Sequence, residues 1–180
     1  AGRDDAVSDL LTGLETLEYR GYDSVGVAVK NGSGLSIHKQ AGEVSDVKDQ
    51  IAAATPTGTI GIGHTRWSTH GPPTDTNAHP HATTGGDVAV VHNGVIENHA
   101  DLRVRLADLG YEFQSETDTE VVPHLFDHYN ERHDDAVTAF RRTVEDLDGN
   151  YAIAALVEGE ETIYAAREGS PLVVGVGEDS

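Results

Sequence analysis

The chain has no cysteine. That excludes a disulfide framework and fits an intracellular, cytoplasmic home. Basic residues are scarce: 12 Lys and Arg stand against 31 Asp and Glu, a formal net charge of −19. Nucleic acid and anionic membranes would be repelled, so neither is expected as a partner. No apolar run approaches the length of a membrane span. The opening residues, Ala1-Gly2-Arg3-Asp4-Asp5, lack the basic-then-apolar order of a signal peptide. Lysine is nearly absent, limited to Lys30, Lys39 and Lys48. An acidic, lysine-poor surface reads as halophilic, because counterions at high salt screen the self-repulsion. High acidity also marks disordered chains, but here the acids are interleaved with periodic apolar residues. At 180 residues the chain fits a single domain, 1–180, with a real core.

What the chain does have is concentrated in Gly63-His64-Thr65-Arg66-Trp67-Ser68-Thr69-His70-Gly71. An apolar run over residues 59–63 leads into it, and Gly71-Pro72-Pro73 closes it. A short strand is expected to end here in a loop holding a guanidinium, three hydroxyls, two imidazoles and the only Trp. A plain turn needs Gly, Pro, Asn, Asp or Ser, not this inventory. The bland alternative is a buried Trp with a polar fringe.

Around it, residues 4–19 carry Val7, Leu10, Leu11, Leu14 and Leu17 at helical spacing. Apolar runs 25–29 and 35–39 around Asn31-Gly32-Ser33-Gly34 predict a hairpin. Helices are further predicted over 44–54, 98–109, up to Asn130 and over 135–147, and strands over 87–91, 150–157, 162–166 and 171–176. Hairpin-length links between strands, with the helices apart, predict an α+β layered sandwich.

Several clusters have two readings. Glu18-Tyr19-Arg20-Gly21-Tyr22-Asp23-Ser24 is either a site or a salt bridge from Arg20 to Glu18 or Asp23. His79 and His81, two residues apart, read as metal ligands or as loop rings bonded to neighbours. His124 and His128 read as structural. Asn93-Gly94 after a strand is a tight turn or an oxyanion hole, since an Asn amide and the following Gly N–H can converge on one oxygen. From the dipeptide alone the turn is favoured. Thr117 and Glu120 fit a capping box. Asp118 then caps a helix or complements its dipole, or it holds a substrate cation.

Taken together, Glu18-Tyr-Arg-Gly-Tyr-Asp-Ser24, His64-Thr-Arg-Trp-Ser-Thr-His-Gly71, Asn77-Ala-His-Pro-His81, Val91-His-Asn-Gly94 and Ser115-Glu-Thr-Asp-Thr-Glu120 resemble the glutaminase domain of glutamine–fructose-6-phosphate aminotransferases. The resemblance runs in order along nearly the whole chain. It implies a four-layer αββα sandwich of the N-terminal-nucleophile (Ntn) hydrolase type, here without its first strand and truncated at both ends. It implies hydrolysis of the L-glutamine side-chain amide without a cofactor or metal. The ammonia would pass to downstream domains that bind and isomerise fructose 6-phosphate, in a homodimeric parent protein. Arg66 then resembles the residue that grips the glutamine α-carboxylate, with Thr69 and His70 beside it. Asp118 resembles the partner of the α-ammonium, Asn93 and Gly94 the oxyanion hole, and Trp67 the indole that gates the site.

The family nucleophile is an N-terminal cysteine, and this chain has none. The chain is therefore expected to be a fragment, inactive as written. Two other functions compete with this one: a catalytically dead amino-acid-binding or regulatory module of the same fold, and a metal-dependent hydrolase using His79 and His81.

Overall fold

In strand β1 (Ser24–Asn31) large and small residues alternate, and each set faces a different layer. The computed structural model describes residues 6–32, 34–54, 57–68 and 71–176. β1 is the middle strand of a three-stranded antiparallel sheet, between β2 (Gly34–Ala41) and β3 (Ile60–Arg66). Val25, Val27 and Val29 pack against helices α1 (Ala6–Leu17) and α2 (Val44–Ala54), in a cluster with Val7, Leu11, Leu14, Val47 and Ile51. Burying each such side chain contributes about 1.5–3 kcal/mol. Helix α1 lies close on β3 because β3 offers glycine there. A Cβ at Gly61 would stand 2.7 Å from Leu10 Cδ1.

The second sheet has the order β4-β5-β6-β7, all antiparallel, from β4 (His81–Ala82), β5 (Val88–Ile96), β6 (Gly149–Val157) and β7 (Ile163–Glu168). Ala28, Ile60 and Ile62 of the first sheet meet Ala89, Val91 and Leu156 of the second. On its far face, Val88, Val90, Ile153 and Ala155 pack against α3 (His99–Asp108), α4 (Val121–Asn130) and α5 (Ala136–Glu145). The layers are thus helix, sheet, sheet, helix, the α+β sandwich expected.

Some local readings are corrected. Asn93-Gly94 is not a turn: β5 runs through it, with Asn93 opposite Ala152 and Gly94 opposite Tyr151. The Val-rich run was legible, but cross-strand pairing to β6 carries the strand on. The capping box at Thr117 and Glu120 does not form. The Glu120 carboxylate instead accepts hydrogen bonds from the Gln114 and Ser115 backbone N–H groups and the Ser115 hydroxyl, at 2.7–2.8 Å. Residues 171–176 form no strand, and Val173, Val174 and Val176 are exposed. Pro123 lies in the first turn of α4, where its missing N–H is not needed.

Candidate active site

β3 and β5 belong to different sheets, and the two-residue period of a strand decides which of their side chains meet. Ile60 and Ile62 face the second sheet, so His64 and Arg66 continue on that face. Ala89 and Val91 face the first sheet, so Asn93 continues on theirs. Where the apolar contacts between the sheets stop, these polar residues line a cleft. It has a volume of about 630 Å³ and is lined by His64, Arg66, Trp67, Asn93, Gly94 and Asp118, among others. That is within the range of small-molecule sites, roughly 300–1,000 Å³.

Arg66 ends β3 and is only 4% exposed. Its guanidinium donates to the carbonyls of Pro72 and Gly71 over long distances, 3.4 and 3.3 Å. Burial lowers its pKa, and the Asp23 and Asp118 carboxylates push it back up. A planar guanidinium offers five donors in a fork that matches a carboxylate.

Asp118 is also 4% exposed. It does not cap α4, which begins at Val121. Its Oδ2 accepts from the Ile96 backbone N–H at 2.8 Å, tying it to the end of β5. One cation and one anion, both buried, thus line the same cleft.

Gly94 has φ +124°, and a Cβ there would stand 2.0 Å from the Asn150 carbonyl oxygen. Only glycine fits. The Asn93 Oδ1 lies 2.9 Å from His64 Nε2. An amide oxygen only accepts, so the ring donates.

Trp67 is 60% exposed, with Tyr22 edge-on at 5.6 Å between ring centroids. The buried-Trp reading is therefore wrong: this indole sits at the cleft mouth and is not a core side chain. Thr69 and His70 lie outside the described residues.

In the cluster at residues 18–24, Glu18 and Asp23 act as scaffolding. Glu18 Oε1 accepts from the Val44 N–H at 2.7 Å and so holds the start of α2. Asp23 Oδ2 accepts from the Ser68 N–H at 2.7 Å, and its own N–H donates to the Arg66 carbonyl at 3.1 Å. Asp23 therefore fixes the backbone on both sides of Trp67. The Arg20 side chain lies outside the described residues.

The inner wall of the cleft is a layer of histidines: His64, His79 and His92 line it, and His81 packs on His79. His79 Nε2 and His92 Nδ1 share the Thr119 hydroxyl at 3.0 and 2.8 Å, and His81 Nε2 meets the Thr117 hydroxyl at 3.0 Å. Ring centroids are 4.4 Å apart for His64 and His79, and 4.8 Å for His79 and His81. Burial, above all, drives His64 down to about 4 and His79 and His81 well below the ordinary 6.5. The neighbouring rings and the Arg66 charge push the same way. The rings thus bond to threonine hydroxyls, as the loop reading of His79 and His81 supposed. Among the described residues no group of three or more His, Cys, Asp or Glu is placed to hold a metal ion. His124 is 1% exposed and packs between the Tyr111 and Phe113 rings. The threonines of Ser115-Glu-Thr-Asp-Thr-Glu120 were the available signal: Thr117 and Thr119 bond the histidines while lining the cleft on either side of Asp118.

A family profile described as a glutamine amidotransferase domain matches residues 64–179. The chain belongs to that family, and its sandwich is of the N-terminal-nucleophile amidotransferase type. Two solved structures share the fold. Glutamine phosphoribosylpyrophosphate amidotransferase from B. subtilis, complexed with ADP and GMP, gives a TM-score of 0.74 at 28% identity, over 87% of this chain and 34% of that one. A structure described as the allosteric regulatory enzyme of purine biosynthesis gives 0.75 at 28% identity, over 86% and 34%. Within the family, the chain is similar to curated proteins named glutamine–fructose-6-phosphate aminotransferase [isomerizing]. The one from Halobacterium salinarum is 53% identical over 167 residues, 92% of this chain and 27% of its own length. The one from Symbiobacterium thermophilum is 50% identical over 178 residues, 98% and 29%. The one from Sulfurisphaera tokodaii is 49% identical over 168 residues, 93% and 28%. The resemblance read from the motifs is thereby shown. The chain spans less than a third of the length of these relatives.

Proposed function

We propose that this cleft binds L-glutamine and that the full-length protein hydrolyses the glutamine side-chain amide to glutamate and ammonia. The observation that carries this reading is the pairing of buried Arg66 and buried Asp118 with Asn93-Gly94 in one cleft. Glutamine is a zwitterion, so its α-carboxylate and α-ammonium need a cation and an anion held apart. Arg66 takes the carboxylate in its fork, and Asp118 takes the ammonium. Thr69 and His70 complete the pocket by motif position. That leaves the side-chain amide at Asn93 and Gly94. A nucleophile attacks the amide carbon, its oxygen becomes an oxyanion held by the Asn93 amide and the Gly94 N–H, and ammonia leaves. Water then releases glutamate from the acyl intermediate.

The chain as written carries no cysteine, so these residues bind and stabilise while the nucleophile comes from outside them. Activity from residues 1–180 alone is not expected. The ammonia serves to aminate fructose 6-phosphate in domains beyond this chain, in a homodimeric, cytoplasmic parent. Trp67, at the cleft mouth, screens the site and gates ammonia. Among the described residues no helix is long and apolar enough to cross a membrane. N-terminal sequencing of the mature full-length protein decides against the rival reading, a catalytically dead amino-acid-binding module, if it finds an N-terminal cysteine. Asn93→Ala in the full-length protein is expected to slow glutamine hydrolysis about 10²–10³-fold, the effect of losing one oxyanion donor. Turnover within twofold of wild type would rule out that role.

The surface charge supports a halophilic reading. At a net charge of −19 the fold repels itself, and the screening length shrinks from about 10 Å at 0.1 M salt to about 3 Å at 1 M. The thermal transition of this domain is expected to rise from dilute buffer to molar potassium chloride. A flat or falling series would contradict the halophilic reading and leave the glutaminase reading standing.

A further inference from the structure

We infer that His64 is a positioning residue for the oxyanion site: its Nε2–H holds Asn93 Oδ1 and so aims the Asn93 amide nitrogen into the cleft. The inference rests on the proposed role of Asn93 and adds what makes that role possible.

A carboxamide is a two-faced group. Its oxygen accepts, its nitrogen donates, and the terminal torsion of Asn is broad and nearly two-fold. Left to itself, Asn93 would spend part of its time with the oxygen toward the substrate. That orientation sets a lone pair against the developing oxyanion. Orientation is therefore part of the catalytic requirement, because an oxyanion donor acts through being fixed before the reaction.

His64 is built to fix it. The donor–acceptor distance is 2.9 Å across the two sheets. His64 is anchored in β3, where Gly26 of β1 lies opposite it. A Cβ at Gly26 would stand 2.2 Å from the His79 carbonyl oxygen, so glycine there lets the His79 segment approach. The His79 ring then packs on His64 at 4.4 Å between centroids. Its own Nε2 is held at 3.0 Å by the Thr119 hydroxyl, which also takes His92, the neighbour of Asn93. A continuous set of contacts thus runs from Thr119 through His79 and His64 to Asn93.

The same bond excludes another role. Nε2 donates to Asn93 and has no lone pair to offer as a general base, and Nδ1, which keeps one, is buried. His64 acts through Asn93 and not on the substrate.

The experiment is a double-mutant cycle in the full-length protein, read by steady-state hydrolysis of glutamine. His64→Leu is expected to lower kcat roughly 10–100-fold, somewhat less than loss of the donor itself, since the freed amide still samples the correct face. The KM for glutamine is expected to stay within about threefold, because the interaction is made only in the transition state. Combining His64→Leu with Asn93→Ala is expected to be no slower than Asn93→Ala alone, the non-additivity of two residues acting through one bond. Polar variants separate positioning from packing. In His64→Gln the new amide nitrogen falls near the place of Nε2 and is expected to restore most of kcat, whereas the shorter side chain of His64→Asn does not reach. If His64→Leu does not fold, the Gln and Asn variants decide by themselves. Equal kcat in those two, additive losses in the cycle, or a raised KM with unchanged kcat would overturn the role of His64. A wild-type kcat in Asn93→Ala would instead overturn the oxyanion reading, and this inference with it.

Discussion

Arg66→Ala or Asp118→Ala in the full-length protein is expected to reduce kcat/KM for glutamine by roughly 30- to several-thousand-fold, the 2–5 kcal/mol lost when one side of a buried charge pair is truncated. Both residues are nearly inaccessible to water. A glutamine bound to either variant therefore keeps one charged end that neither the protein nor solvent pairs. Arg66→Lys should recover only part of the loss, because an ammonium is a point charge without the planar fork. The two variants should also be chemically distinct. Glutaramic acid has the amide and one carboxylate but no α-amino group, so it has no ammonium for Asp118 to hold. Wild-type enzyme should prefer glutamine over it strongly, and Asp118→Ala should lose most of that preference. Arg66→Ala should keep the preference, because its defect lies at the other end of the substrate. Steady-state kinetics on both compounds checks this. Unchanged efficiency in either variant would mean that the glutamine pocket is elsewhere.

The fold was legible wherever burial repeats at a fixed period. Val25, Val27 and Val29 in β1, and Leu11 and Leu14 in α1, declare their faces without any partner in view. It was not legible where pairing alone decides. Asn93-Gly94 has turn chemistry, yet β6 supplies partners through Tyr151 and Ala152 and keeps the strand going. Conversely, residues 171–176 have strand composition but no strand beside them among the described residues. A strand needs a neighbour, and composition cannot supply one.

The site divides in the same way. Arg66 carried unusual chemistry for its local context, whereas Asn93, Gly94 and Asp118 were singled out only by the joint run of motifs. What holds them in place was hidden. Glu18 and Asp23 bind the Val44 and Ser68 backbones, groups that no sequence pattern marks. The histidine layer was harder still. His64, His79, His81 and His92 come from three separate motifs and converge only when the two sheets stack.

That layer sets the second large effect, a loss of stability on mild acidification. His64 titrates near 4 in the fold, and His79 and His81 well below 6.5, all three chiefly because burial disfavours the charged ring. In the unfolded chain these rings titrate near 6.5. Between about 6.5 and 4 the unfolded chain therefore binds protons that the fold refuses. Stability is fully present above pH 6.5 and falls as pH drops through that window, by roughly 1.4 kcal/mol per pH unit for each proton taken up. For His64 alone the fall from 6.5 to about 4 amounts to roughly 3 kcal/mol, less some screening because the ring borders the open cleft. Each kcal/mol lowers the midpoint by about 2–4 °C in a domain of this size. The surface carboxylates work against this loss, since protonating them relieves the self-repulsion of a chain at −19. Molar potassium chloride removes most of that opposing effect by screening the exposed acids, and it leaves the buried rings nearly untouched. In molar salt the domain's thermal transition is thus expected to fall by roughly ten or more degrees from pH 7.5 to pH 5, about the sum of the histidine contributions. His81→Gln, which keeps a polar group near Thr117 but does not titrate, should flatten the slope. A transition that holds level or climbs down to pH 5 in molar salt would show that the histidine layer is solvated or already charged in the native protein.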